Sequence, residues 1–201
     1  MNQNIGLKFK GASDLIESMQ SQRQMLHFSQ MLKRVACEMS RIASDLRLLS
    51  SGPNTGLAEI ELPPVQPGSS IMPGKVNPSI LECVNMVCYR VMGSEATVAH
   101  CVYNGQINLN VNMPLMSYEV LTSMKILGNA AVMMAEKCVD GITANEETCR
   151  KYAYQSGSLA TALNPIIGYA HVAEIVKEFK NGQTHSRNHF GKNILSKKNW
   201  R

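Results

Sequence analysis

Phe28, Met31, Val35, Met39, Ile42, Leu46 and Leu49 recur at steps of three or four residues. That spacing lays them along one stripe of a single α-helix. Lys33, Arg34, Glu38 and Arg41 fall mostly off the stripe. Ser13 with Asp14 supplies oxygen side chains that can satisfy the orphan amides of a helix start. Ser51-Gly52-Pro53 ends it, so the pattern predicts one helix from Ser13 to about Ser50. A helix of that size runs roughly 50 Å at 1.5 Å per residue.

Two more long helices follow. One is expected from Pro78 to about Cys101, with Leu81, Val84, Val87, Cys88, Val91 and Val98 inward and Gly93 at a break or close contact. The other runs from Pro114 to Cys138, its apolar face made by Val120, Leu121, Met124, Leu127, Ala131 and Met134. Gly128, Ala130, Ala131 and Ala135 permit close packing, and the methionines read as core filling. Thr143 with Glu146 has the spacing of a capping box and predicts a fourth helix to about Tyr154. A fifth is expected from Pro165 to about Lys180. Residues 1–12 and 102–110 lack periodicity, and no strand-period segment of useful length occurs. The chain therefore reads as all-α: a long-helix bundle in residues 1–139, then a small helical domain in residues 140–201. Three such helices cannot bury wide apolar faces on one another completely, so a bundle completed by other chains is expected.

Composition narrows the class. The 201 residues are 44% hydrophobic and 17% charged, too apolar for a disordered chain. No apolar run approaches the ~18 uncharged residues of a membrane span. Residues 1–20 lack the basic start and apolar run of a signal peptide. Cys37, Cys83, Cys88, Cys101, Cys138 and Cys149 form no C-x-x-C pair, so they read as reduced thiols in a cytoplasmic protein. The net charge of +5 equals the five cations of the last segment, Arg187, Lys192, Lys197, Lys198 and Arg201. A basic end on a balanced body reads as a solvated tail, so no nucleic-acid partner is expected. His27, His100, His171, His185 and His189 show no metal-ligand spacing, so neither a metal nor a cofactor is expected.

Between the first two long helices lies a Gly- and Pro-rich segment, residues 54–78. Within it Gly68-Ser69-Ser70-Ile71-Met72-Pro73-Gly74-Lys75-Val76-Asn77-Pro78 is a loop with paired hydroxyls, a cation and an amide, and no acid. Serine is a poor base unless oriented N–H groups or cations stabilise its oxyanion. Gly68 and Gly74 allow the backbone geometry of such a nest. Lys75 is a point charge suited to a carboxylate, and Asn77 can donate two hydrogen bonds to one. Equally, these groups can be ordinary caps around a turn before a helix.

Those eleven residues resemble, almost without a break, the signature loop of the aspartase/fumarase superfamily. These are homotetrameric lyases that break a C–N or C–O bond beside a carboxylate and release fumarate. The resemblance extends to Asp45-Leu46-Arg47-Leu48-Leu49-Ser50-Ser51-Gly52-Pro53, Gly56-Leu57-Ala58-Glu59-Ile60, Leu109-Asn110-Val111, Gly141-Ile142-Thr143-Ala144-Asn145 and Ala162-Leu163-Asn164-Pro165. It covers about Ala12 to Gln183. Asp45 to Pro53 and Ile142 to Asn145 are more similar to aspartate ammonia-lyases than to fumarate hydratases, which are the alternative. The resemblance implies Ser69 as the base that takes a proton from C3 of L-aspartate. Lys75 and Asn77 would hold the resulting aci-carboxylate, and Ser70 would contact substrate. Ammonia would leave C2 to give fumarate, with Gly68 and Gly74 as hinges of a closing loop.

Two departures qualify it. Family active sites combine three segments from different subunits, and this chain carries only the third. Counterparts of the earlier threonine, serine, asparagine and histidine contacts are not found. The sequence thus reads as a C-terminal fragment, expected to be inactive by itself, or a truncated subunit that only assembles. After Gln183 the family's acidic and apolar pattern gives way to Thr184-His185-Ser186-Arg187-Asn188-His189-Phe190, and only Asn193 to Lys198 is similar again.

Overall fold

The computed structural model describes residues 6, 8, 10–72 and 74–180. The basic tail lies outside the described residues. The architecture is all-α, with one minimal ladder between strand β1 (Ile60–Glu61) and the two-residue strand β2 that starts at Thr143.

The first expected helix is two. Helix α1 (Leu15–Gln20) starts where predicted, with the Asp14 carboxylate accepting from the N–H groups of Ile16 and Glu17 at 2.9 and 3.0 Å. It stops at Ser21, which is extended, and α2 (Arg23–Leu49) begins after Gln22. The polar run Gln20-Ser21-Gln22 has no apolar group to hold a continuous helix against the core. The Gln22 amide also donates to the Ser18 carbonyl at 3.0 Å, a side-chain bond at the helix end.

Helices α3 (Ser79–Tyr103) and α4 (Met113–Lys137) match the expected spans closely. Each has 25 residues, about 37 Å at 1.5 Å per residue. α3 lies between α2 and α4 and touches both along its length. One core cluster joins Ala36 and Ala43 of α2, Leu81, Val84, Cys88 and Val91 of α3, and Leu127, Ala130 and Met134 of α4. A second, near the far end of α3, joins Val98, Cys101, Met116 and Val120.

The inward face of α2 differs from the stripe read in the sequence. Its buried residues are Ser29, Ala36, Ser40 and Ala43, small side chains that let α3 approach closely. Phe28, Met31, Val35 and Ile42 are exposed, while Met39 and Leu46 pack on the core. α4 is likewise rotated. Met116, Glu119, Val120, Ser123, Leu127, Ala130 and Met134 face inward, whereas Leu121 and Met124 are exposed. Two helical neighbours bury only part of an apolar girth, and close packing selects the side with small residues.

The chain divides into two compact units between Thr143 and Ala144. In the second unit, α5 (Glu146–Gln155) is capped by Asn145, whose side chain accepts from the Thr148 N–H at 3.2 Å. Thr143 is too far upstream to cap it, because β2 holds Thr143 and Ala144 extended. The expected fifth helix breaks at Gly168 into α6 (Asn164–Ile167) and α7 (Tyr169–Lys180). Among the described residues there, Ala160 and Val172 are buried.

Candidate active site

The chain reaches the serine loop by folding back over the end of α2. The Ser51 hydroxyl donates to the Leu48 carbonyl at 2.6 Å and accepts from the Leu57 N–H at 3.1 Å. The Ala58 N–H donates to the Ser51 carbonyl at 2.7 Å, and the Glu59 N–H to the Leu49 carbonyl at 2.9 Å. Hydroxyl and glycine in Ser51-Gly52-Pro53 therefore do more than stop the helix; they tie the loop's entry arm to it.

The loop itself closes at a neck. The Gly68 N–H donates to the Lys75 carbonyl at 2.9 Å, and the Asn77 side-chain amide donates to the Gly68 carbonyl at 2.7 Å. A Cβ on Gly68 would overlap the Lys75 carbonyl oxygen, so the neck needs glycine there. Gly74 turns the chain with φ +79°, a left-handed conformation that side chains resist. Gly74 thus suits a hinge, whereas Gly68 sits in a clasp.

Inside the ring, Ser69 is half-buried and Ser70 exposed. The Ser69 Oγ accepts from the N–H groups of Ile71 and Met72 at 3.1 and 3.2 Å. Two oriented amide donors on one hydroxyl oxygen make a small anion nest. Gly68, Ser69, Met72, Gly74 and Lys75, together with Pro64 to Pro67, line an open depression of about 420 Å³. Lys75 is exposed and makes no ion pair among the described residues. Its charge is therefore available to an anion in the depression. Ser69 and Lys75 line the same depression, Ser70 is exposed, and Asn77 is already engaged with Gly68. No group of three His, Cys, Asp or Glu side chains is placed to hold a metal among the described residues.

Sequence reasoning missed a polar seam at the loop's root. Ser40 and Arg47 of α2 face Glu82 and Asn85 of α3 across an otherwise apolar contact. Asn85 is 3% exposed. In the orientation that satisfies both ends of its amide, it donates to the Ser40 carbonyl and accepts from Arg47 Nη1, each at 3.2 Å. The signal was an arginine between leucines in Asp45-Leu46-Arg47-Leu48, a cation too close to an apolar stripe to be mere surface.

Three titratable groups lie deep in this unit. Burial pushes the thiols of Cys88, Cys101 and Cys138 up from the ordinary value of 9.0; Cys37 adds to the effect on Cys88 and Glu119 to that on Cys101. They are poor nucleophiles at neutral pH and lie outside the loop.

Comparison with known proteins agrees with the loop and the helices around it. The model of a lyase family matches residues 2–93. Aspartate ammonia-lyase of Helicobacter pylori is 51% identical over 173 residues, 86% of this chain and 37% of the relative. The Escherichia coli enzyme of the same name is 48% identical over 82% of this chain and 34% of its own length. Among solved structures, a fumarate lyase:delta crystallin from Brucella melitensis superimposes with a TM-score of 0.82 at 52% identity, covering 90% of this chain and 42% of that one. A class II fumarase from Schistosoma mansoni gives 0.81 at 38% identity, covering 86% and 36%. The chain spans 37% or less of the length of the curated relatives just named. The signature loop, the helices that carry it and this level of identity lead to one conclusion: the chain belongs to the aspartase/fumarase superfamily of lyases.

Proposed function

We propose that the chain supplies the serine-loop part of an aspartate ammonia-lyase, which converts L-aspartate to fumarate and ammonia. The observation that carries this reading is the pair of amide donors on Ser69 Oγ. As an alkoxide, Ser69 takes the proton from C3 of L-aspartate, and the two amides stabilise the oxygen both before and after transfer. The electrons left on C3 spread into the adjacent carboxylate. Lys75 stabilises that growing charge, together with the second N–H of Asn77, the first being committed to Gly68. Ser70 adds a hydroxyl or backbone contact to substrate. Expulsion of ammonia from C2 restores a neutral C–C double bond in fumarate. Closure of the loop about Gly74 removes water from the depression and strengthens each contact.

The same reading has the remaining substrate contacts come from other segments, in a homotetramer. It includes inactivity of the 201-residue chain by itself and a boundary near Asp140 between bundle and small domain. Exposed Phe28, Met31, Val35 and Ile42 support assembly, because such a face is costly in water.

The test follows fumarate absorbance with L-aspartate, using the chain alone and the chain completed with the upstream sequence of a relative. Turnover in the completed protein that disappears in Ser69→Ala supports the reading. Turnover unaffected by Ser69→Ala overturns it. A fumarate hydratase is the second reading, favoured by the 38% identity to a class II fumarase. Consumption of L-malate but not L-aspartate would select it.

A further inference from the structure

We infer that Arg47 is the positioning residue of the serine loop. Its polar side-chain partners, Glu82 and Asn85, lie on the helix that the loop is mounted on, and it acts through that helix. The loop runs into α3 without slack: the Ser79 N–H donates to the Asn77 carbonyl at 2.8 Å, and the Glu82 N–H to the Pro78 carbonyl at 3.0 Å. Wherever the first turns of α3 go, Lys75 and Asn77 go with them.

Those turns are held to α2 by the arginine fork. Arg47 Nη2 forms an ion pair with Glu82 Oε1 at 3.6 Å, and in the amide orientation described above Nη1 donates to the Asn85 oxygen at 3.2 Å. Glu82 and Asn85 are three residues apart, one turn above the other on the same side of α3. A planar guanidinium reaches both at once; an ammonium reaches one. In that orientation the Asn85 amide nitrogen donates to the Ser40 carbonyl at 3.2 Å, which ties the fork to a buried side chain. Arg47 also has a fixed base, since the Ser50 hydroxyl donates to its carbonyl at 3.2 Å.

The entry arm of the loop is tied to the same place. The Glu59 N–H bonds Leu49, two residues beyond Arg47. Both arms of the loop therefore hang from the last turns of α2, the entry arm by backbone bonds and the exit arm by Arg47. Arg47 Nε is buried without a partner. The side chain accepts that cost because its two terminal nitrogens dictate its pose.

The inference deepens the proposed function, and its meaning for turnover rests on it. The order of the loop, however, is measurable without turnover. Native digestion of the 201-residue chain by a lysine-specific protease, followed by mass spectrometry, reports cleavage after Lys75, which is exposed in the loop. Cleavage after Lys125, in the middle of α4, reports wider unfolding. Arg47→Met keeps the apolar stem and removes the fork. It is expected to speed cleavage after Lys75 about fivefold or more, with little change after Lys125. Arg47→Lys, which can meet one partner only, is expected to fall between Arg47→Met and the wild type. Equal acceleration at both lysines, or none at Lys75, overturns the inference. If Arg47→Met does not fold, the Arg47→Lys comparison decides by the same two criteria. Absence of lyase activity in the completed protein would sink the proposed function and leave this result standing.

Discussion

The Ser69 hydroxyl is held by its own loop. Its oxygen faces two amides supplied by the residues two and three positions on, and glycine on one side keeps the ring closed. Replacing Ser69 with alanine in the completed enzyme should lower kcat by about 10²- to 10⁴-fold, the range for a lost general base. Steady-state turnover of L-aspartate checks it, and a loss in KM alone would speak against the role. Gly68→Ala should open the neck, since the new methyl displaces the Lys75 carbonyl. Amide exchange at Gly68 should then approach that of a free loop; unchanged protection would mean the clasp tolerates a side chain. The thiols give an independent residue-level check. Cys37 is exposed, while Cys88, Cys101 and Cys138 are buried. A thiol reagent at neutral pH should label Cys37 early and the three buried cysteines only on unfolding, as peptide mapping would show.

At the scale of elements, α3 is cross-linked on both sides by carboxylates that are 9% exposed as side chains. Lys33 of α2 holds Glu95 at 2.7 Å, and Arg90 holds Glu119 of α4 with both oxygens, at 3.1 and 2.9 Å. Glu119→Ala strips a charged partner from Arg90 and leaves space in the α3–α4 contact. A loss of about 1–3 kcal/mol is expected in urea unfolding, and a change under a few tenths would show the pair to be ornamental. The alkaline limb of stability follows from the same region. The hydrogen bond and the charge of Glu95 raise the Lys33 ammonium above 10.5, and burial raises three thiols above 9.0. A raised value in the folded state means that folding retains a proton the unfolded chain has lost. That contribution is whole below the unfolded values and disappears as pH climbs through the folded ones. The urea midpoint should therefore fall above about pH 9 through the thiols, with Lys33 adding to the loss only beyond 10.5; a rise would contradict the assignment. The extents of α3 and α4 were well indicated by the apolar repeat and by Pro78 and Pro114. Caps were less so: Asp14 acts as read, but Asn145 takes the place expected of Thr143, because a strand pairing fixes the latter.

The whole molecule carries more apolar surface than its own helices can cover. Phe28, Met31, Val35 and Ile42 on α2 and Leu121, Met124 and Val132 on α4 stand in solvent. Light scattering behind a sizing column should find the chain associated, and Val35→Glu with Ile42→Glu should shift it toward monomer while helicity by circular dichroism persists. A monodisperse monomer in the wild type would refute this. No helix among the described residues is long and apolar enough to cross a membrane.

What the sequence by itself determined was local. Spacing of three and four set the helices, proline and glycine set the loop, and eleven loop residues carried the family. Periodicity, however, reports only that a helix has an apolar side. It does not say which part of a wide stripe meets a neighbour in the same chain. That choice belonged to the tertiary structure, where close approach to α3 turned Ala36, Ser40 and Ala43 inward and left Phe28, Met31 and Val35 outside. Asn77 was legible as an amide and Arg47 as a cation. Their partners, Gly68 across the neck and Glu82 with Asn85 across a helix contact, depend on distances that only the folded chain brings within hydrogen-bonding or ion-pairing reach.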